Sequence, residues 1–188
     1  MTDNLSGADI VPDAGAIFRI DPAGAQQIVL GGIGIPNTLA WDNEGRLLTA
    51  DSLTGVVRRV RLDGFGKAKG VSILHGPIDL GVPDGSALAQ DGTLWNARWS
   101  AGCLIGISSG GAEVGRIEIP GGNVTSACFA GPNLDCLVVT TSCWGLTDKL
   151  RADVPQAGGV FVVDGIGRGS IQMRYAAEVG QWPAFKDA

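Results

Sequence analysis

Two stretches of this chain, residues 39–47 and 87–95, are variants of one pattern. Leu39-Ala40-Trp41-Asp42-Asn43-Glu44-Gly45-Arg46-Leu47 aligns with Ala87-Leu88-Ala89-Gln90-Asp91-Gly92-Thr93-Leu94-Trp95. Each is a short apolar run, an acidic-glycine turn and a second apolar run. A unit of this size cannot bury its apolar faces alone. A repeat at a period of about 40 to 50 residues therefore implies units that stack on one another.

The strand signals between the copies give the unit its content. Apolar runs at 16–20 and 27–30 flank the turn Asp21-Pro22-Ala23-Gly24 and read as a hairpin. Runs at 38–41, 46–50, 56–62 and 71–74 form one antiparallel four-stranded unit. Runs at 86–89, 94–97, 103–107 and 114–119 form a second, and 126–129, 136–140, 159–163 and 171–175 a third. Glycine, 30 of 188 residues, is about twice as common as the ~7% average and supplies the turns. No amphipathic helix stands out, although 146–153 has room for a turn or two. Four strands per unit at this period is the mark of a propeller blade, and propellers use typically about 4–8 of them. The expected fold is all-β: an incomplete β-propeller of about three and a half blades, one domain over 1–188 with a flexible N-terminus at 1–12.

Charge and composition exclude several classes. A net charge of −5 with 18% charged residues leaves no electrostatic footprint for nucleic acid. No apolar run approaches the roughly 18 residues of a membrane span. Residues 1–9 lack the apolar core of a secretory signal, so a cytoplasmic location is expected. Cys103, Cys128, Cys136 and Cys143 form no C-x-x-C pair and lie in or beside apolar runs, where free cysteine is expected as a small buried hydrophobe.

Six strings carry a family resemblance. They are Gly34-Ile35-Pro36-Asn37-Thr38-Leu39-Ala40-Trp41, Thr49-Ala50-Asp51-Ser52, Val82-Pro83-Asp84-Gly85, Leu94-Trp95-Asn96-Ala97-Arg98-Trp99, Thr125-Ser126-Ala127-Cys128-Phe129-Ala130-Gly131 and Gly158-Gly159-Val160-Phe161. In this order the chain resembles the C-terminal part of the gluconolactonase/regucalcin/luciferin-regenerating family. The resemblance implies a six-bladed propeller and metal-dependent hydrolysis of a sugar lactone or similar cyclic ester. It also implies one divalent cation in the central channel, Ca²⁺ first, with Mg²⁺, Mn²⁺ or Zn²⁺ as alternatives. The family's ligands are a glutamate near the N-terminus, the asparagine of P-N-G and the aspartate of P-D-G. Carried over, Asn37 and Asp84 are metal ligands, and Asp84 is also the catalytic base. The glutamate motif and an N-D-G string that contacts substrate have no counterpart, and Thr38 replaces the usual glycine.

The residues support this chemistry on their own terms. Asn37 and Asp84 each follow a proline and begin the innermost strand of a blade, so equivalent positions address one channel. An amide oxygen and a carboxylate suit a hard cation. Such an ion polarises a lactone carbonyl and acidifies a bound water, and Asp84 can take the proton. Pro-Asn and Pro-Asp-Gly also read as ordinary turns.

Weaker features complete the reading. Asp51, Ser52 and Trp99 are candidate pocket residues, although Asp51 reads more readily as a turn-facing carboxylate. Trp41, Trp95, Trp99 and Trp144 are expected to pack between blades, and His75 in a loop. Gly106-Ile107-Ser108-Ser109-Gly110 matches a nucleophile elbow, which requires strand, turn and helix, but ends a strand in a glycine-rich hairpin. Two functional classes follow: a lactone hydrolase, or a non-catalytic truncated propeller acting as a binding or assembly module. The expected partners are a small-molecule lactone and further copies of the chain, because an incomplete ring exposes an apolar blade face and a sheet edge.

Overall fold

The computed structural model describes residues 10–171. Thirteen strands and one short helix lie among these residues, and every strand pairing is antiparallel. A leading hairpin joins β1 (Gly15–Ile20) to β2 (Gln26–Ile33). The first blade runs in order β3 (Pro36–Trp41), β4 (Leu47–Asp51), β5 (Val56–Leu62) and β6 (Ala68–His75). The second comprises β7 (Val82–Leu88), β8 (Leu94–Trp99), β9 (Cys103–Ile107) and β10 (Glu113–Glu118). The third has β11 (Asn123–Ala130), β12 (Cys136–Ser142) and β13 (Val160–Asp164) among the described residues. The expected fourth strand of this blade, 171–175, lies outside the described residues except for Ile171, as does most of the 1–12 segment.

The blades stack through their strand pleat, in which alternate side chains leave opposite faces. On β9, Cys103, Ile105 and Ile107 turn to the first blade and meet Leu48, Ala50, Val57 and Leu74. Leu104, between them, turns the other way and joins Val124, Ala127, Leu137 and Val139 of the third blade. Leu47 and Val60 likewise receive Ile17, Val29 and Ile33 of the hairpin. The hydrophobic core is therefore a series of inter-blade layers. β4 and β9, covered on both faces, are buried along their whole length, whereas outer β10 keeps four of six residues exposed.

The only helix among the described residues is α1 (Asp148–Asp153), where a turn or two was expected. Thr147 caps it, its side chain accepting from the Leu150 N–H. None of the described helices is long and apolar enough to cross a membrane.

The inner strands begin earlier than expected. β3, β7 and β11 run through the Pro-Asn, Pro-Asp-Gly and Asn-Val-Thr segments, ahead of the apolar runs at 38–41, 86–89 and 126–129. Each accommodates its motif with one extra residue: the register shifts between Asn37 and Leu39, between Pro83 and Ser86, and between Val124 and Ser126. A β-bulge lets the strand absorb what otherwise reads as a turn.

The cysteine expectation needs correction. Cys103 is buried, but Cys128 is exposed and Cys136 and Cys143 are half-buried, all four as free thiols. Cys128 follows Ala127, which takes the inter-blade face of β11, and so falls on its other side. There it borders a cavity of about 230 Å³ among the inner strands, with Trp41, Ser86 and Phe129.

Candidate functional site

Asn37 and Asp84 stand in the bulges of β3 and β7, two inner strands that lie side by side. Thr125 holds the matching place on β11, where its hydroxyl meets that of Thr140 at 2.7 Å. Bulges re-aim side chains and are over-represented beside active sites.

Ser52, on the loop after β4, couples the first two positions. Asn37 Nδ2 donates to Ser52 Oγ at 3.0 Å, and Ser52 Oγ donates to the Pro83 carbonyl at 2.5 Å. The serine proton is committed to β7, so the serine can only accept from the asparagine. That fixes the amide: its nitrogen faces Ser52, and nothing among the described residues donates to its Oδ1.

Thr38 ties the same strands together. It is 3% exposed and holds a left-handed φ of 49°, a conformation that costs a non-glycine residue about 1–3 kcal/mol. Its hydroxyl donates to the Asp84 carbonyl at 2.5 Å and meets Ser86 Oγ at 2.8 Å. Beneath it Asn96, fully buried, offers Nδ2 to Ser86 Oγ at 2.9 Å, with Thr38 Oγ1 and the Asp84 carbonyl at 3.3 Å. Arg98, fully buried, donates Nη1 to Asn96 Oδ1 at 3.1 Å and anchors its other nitrogens on the Leu80 and Gly81 carbonyls. No sequence pattern marked Thr38, Asn96 and Arg98 as one network. Thr38 was visible only as a departure from glycine.

Burial pushes the Asp84 carboxyl up to about 6, against the opposing pull of the Gly85 N–H. No cationic side chain among the described residues offsets that burial. A desolvated carboxylate without a counter-charge and, on the adjacent inner strand, an amide oxygen without a donor are groups that suit a hard cation. Two protein oxygens are an incomplete shell, and the described residues contain no group of three His, Cys, Asp or Glu placed to hold a metal.

Gly85 is required by close approach. A Cβ there would run into the Ser126 hydroxyl and come within 2.7 Å of Ser126 Cβ and 2.9 Å of the Thr125 carbonyl. Asp84 thus sits next to a close approach of β7 to β11.

Asp51 is 1% exposed. Burial alone would raise its carboxyl, but N–H groups of Ile35, Gly34 and Leu53 and the Thr54 hydroxyl outweigh it and hold it below the usual range. Its Oδ1 accepts from Ile35 at 3.0 Å and Leu53 at 3.1 Å, and Arg58 lies 3.6 Å from Oδ2. These bonds organise the loop that presents Ser52. Trp99 meets Trp144 with ring centroids 5.9 Å apart and planes tilted by 55°. The pair borders a cavity of about 560 Å³ with Ile119, Leu146 and Leu150. Trp95 packs against the inter-blade layer as expected, but Trp41 and Trp144 are exposed. His75 ends β6 rather than lying in a loop, its Nδ1 2.9 Å from the Gly111 carbonyl. Ser108 lies in the β9–β10 turn, accepting from the Ala112 N–H at 3.1 Å, so the strand-turn-helix of a nucleophile elbow is not formed there.

The family model described as SMP-30/Gluconolactonase/LRE-like region matches residues 1–143. Pentonolactonase XacC of Haloferax volcanii is 32% identical over 175 residues, covering 88% of this chain and 60% of that protein. L-arabinolactonase of Azospirillum brasilense is 38% identical over 96 residues, 51% of this chain and 31% of that protein. The crystal structure of regucalcin from Agrobacterium tumefaciens, described as a calcium-binding protein, superposes with a TM-score of 0.77 at 27% identity. It covers 89% of this chain and 59% of that one. The chain thus spans about 60% of the length of the first of these lactonases.

Proposed function

The chain belongs to the SMP-30/gluconolactonase/LRE-like family, and from that premise we propose a metal-dependent hydrolase of sugar lactones. One observation supports this above the others. Asn37 and Asp84 stand on adjacent inner strands that Ser52 ties together, from Asn37 Nδ2 to the Pro83 carbonyl, with the Asn37 oxygen and the Asp84 carboxyl free of side-chain partners. Relatives named pentonolactonase and L-arabinolactonase support the substrate class, a five- or six-membered cyclic ester of a sugar acid.

Asn37 Oδ1 and the Asp84 carboxylate would hold a divalent cation, Ca²⁺ by preference. Bound there, it would supply Lewis-acid polarisation of the lactone carbonyl. The remaining places of a shell of about six to eight oxygens fall to water, substrate and further acidic residues. Asp84 accepts a proton from water as the water oxygen bonds to the carbonyl carbon. The ring C–O bond then breaks, and the departing alkoxide recovers that proton. Ser52 keeps the Asn37 oxygen, rather than its NH₂, turned to the site.

Homo-oligomerisation is part of the same reading. Phe18, Ile20 and Ile28 on the leading hairpin at one end of the blade series, and Val160 and Val162 on β13 at the other, are large apolar side chains left exposed. A second copy is the proposed cover.

The test is hydrolysis of γ- and δ-lactones of pentonic and hexonic acids, before and after chelation and with Ca²⁺ restored, beside sedimentation at micromolar concentration. Chelator-sensitive turnover by an oligomer is expected. A folded chain that neither hydrolyses lactones nor binds Ca²⁺ would overturn the enzyme reading in favour of a non-catalytic module. A monomer would remove the assembly.

A further inference from the structure

The P-D-G bulge is held mainly through its backbone. The Pro83 carbonyl accepts from Ser52, and the Asp84 carbonyl accepts from Thr38 at 2.5 Å. Asn96 Nδ2 reaches the Asp84 carbonyl at 3.3 Å and the Gly85 carbonyl at 3.4 Å. Thr38 comes from the neighbouring blade, so its bond spans the seam between β3 and β7. Its backbone takes up a left-handed φ of 49° at a buried position where glycine would fit without strain. Glycine has no hydroxyl, and here the hydroxyl is the part that crosses the seam. Arg98 fixes which end of the Asn96 amide faces the bulge, because Asn96 Oδ1 already accepts from the guanidinium.

We propose that Thr38 and Asn96 are positioning residues that set the Asp84–Gly85 bulge across the blade seam. The proposal rests on the reading of Asp84 as a cation-holding carboxylate. Asp84 reaches its place only through the backbone that these two side chains grip. Loosening the grip leaves the carboxylate present but misplaced relative to Asn37. Groups that support a metal ligand from behind typically change metal affinity by about 10- to 100-fold when removed.

The experiment compares Thr38→Gly, Thr38→Val, Thr38→Ser and Asn96→Ala by Ca²⁺ calorimetry, thermal unfolding, and amide NMR shifts and hydrogen exchange at Asp84 and Gly85 without metal. Thr38→Gly also relieves backbone strain, so its unfolding temperature is expected near that of the unaltered chain. Its Ca²⁺ affinity is expected to fall about 10- to 100-fold, with altered shifts and faster exchange at Gly85. Thr38→Val should lose affinity likewise, and Thr38→Ser should restore both readouts. Thr38→Gly and Thr38→Val with unchanged Gly85 exchange and unchanged affinity would overturn the proposal, as would losses that merely track melting temperature across the series. If the unaltered chain binds no Ca²⁺, the metal reading fails. The metal-free shifts and exchange at Asp84 and Gly85 then decide the positioning role alone.

Discussion

Ser52 holds Asn37 in one orientation, accepting from its Nδ2 at 3.0 Å while giving its own proton to the Pro83 carbonyl at 2.5 Å. One hydroxyl thereby aligns a side chain of the first blade with the backbone of the second. Both bonds lie in a part-buried to buried setting, where an unmade hydrogen bond costs about 1–3 kcal/mol. Ser52→Ala is expected to lower stability by that amount. It should also free the Asn37 amide to flip, with kcat/KM on a sugar lactone falling about 10- to 100-fold. Steady-state kinetics beside urea unfolding check this. A variant with native kinetics would mean that Asn37 needs no orientation.

Asp84 links pH to stability. Its folded pKa of about 6 lies above the ordinary 3.8, so between those values the folded chain binds more protons than the unfolded one. The carboxyl therefore favours the fold below pH ~4, and that contribution is lost as pH rises through ~6. The loss amounts to roughly 2–3 kcal/mol for the metal-free chain. Asp84→Asn removes the charge and should make the metal-free chain more stable at pH 7 while abolishing hydrolysis. Added Ca²⁺ should raise the melting temperature of the unaltered chain at pH 7 and leave the variant unmoved. Melting curves at pH 5 and pH 7 give the sign directly, and an Asp84→Asn chain destabilised at pH 7 would contradict it.

Gly85 allows no side chain. A Cβ would meet Ser126 Cβ at 2.7 Å and the Thr125 carbonyl at 2.9 Å, and a carbonyl on a paired strand has no room to retreat. Gly85→Ala is expected to force β7 from β11 at a cost of about 1–3 kcal/mol, and to reduce turnover by shifting Asp84. Thermal unfolding with kinetics on the surviving fold tests both effects. An unchanged melting temperature would show that the seam has slack.

The blade series was readable in sequence because its signals are local. Apolar runs, acidic-glycine turns and the likeness of 39–47 to 87–95 all lie within short windows. That Asn37 and Asp84 fall on inner strands of successive blades was readable through the six family strings. What connects them was not. Thr38 to Asp84 spans 46 residues, Ser52 to Pro83 spans 31, and Thr38 to Asn96 spans 58. These bonds depend on bulges that the prolines and glycines disguise as turns. Asp51 shows the converse. Its carboxylate in a motif string invites a pocket role, yet the N–H groups of Ile35 and Leu53 engage it to shape the Ser52 loop. The cysteines miscarried for a related reason: an apolar run does not say which pleat face meets a neighbouring blade and which borders a cavity.

Arg98 is a fully buried cation bonded to neutral oxygens. Its three donors reach the Leu80 carbonyl at 3.0 Å, the Gly81 carbonyl at 2.9 Å and Asn96 Oδ1 at 3.1 Å. Burial pulls the guanidinium below its ordinary value, against the upward pull of Cys103 and Glu113, but an arginine stays charged at any physiological pH. Arg98→Met would remove the burial cost of that charge and leave two carbonyls and an amide oxygen without donors. Each such orphan costs about 1–3 kcal/mol, so a net loss of about 3 kcal/mol or more is expected in urea unfolding. Arg98→Lys keeps the charge but lacks the rigid fork that serves three acceptors at once. It should recover only part of the loss. Both variants release Asn96 Oδ1, so Ca²⁺ affinity measured on the folded fraction should fall as it does for Asn96→Ala. Full stability in Arg98→Met would show that burying the charge costs as much as its three bonds return. Asn96 would then have to be held by Ser86 and the bulge carbonyls alone.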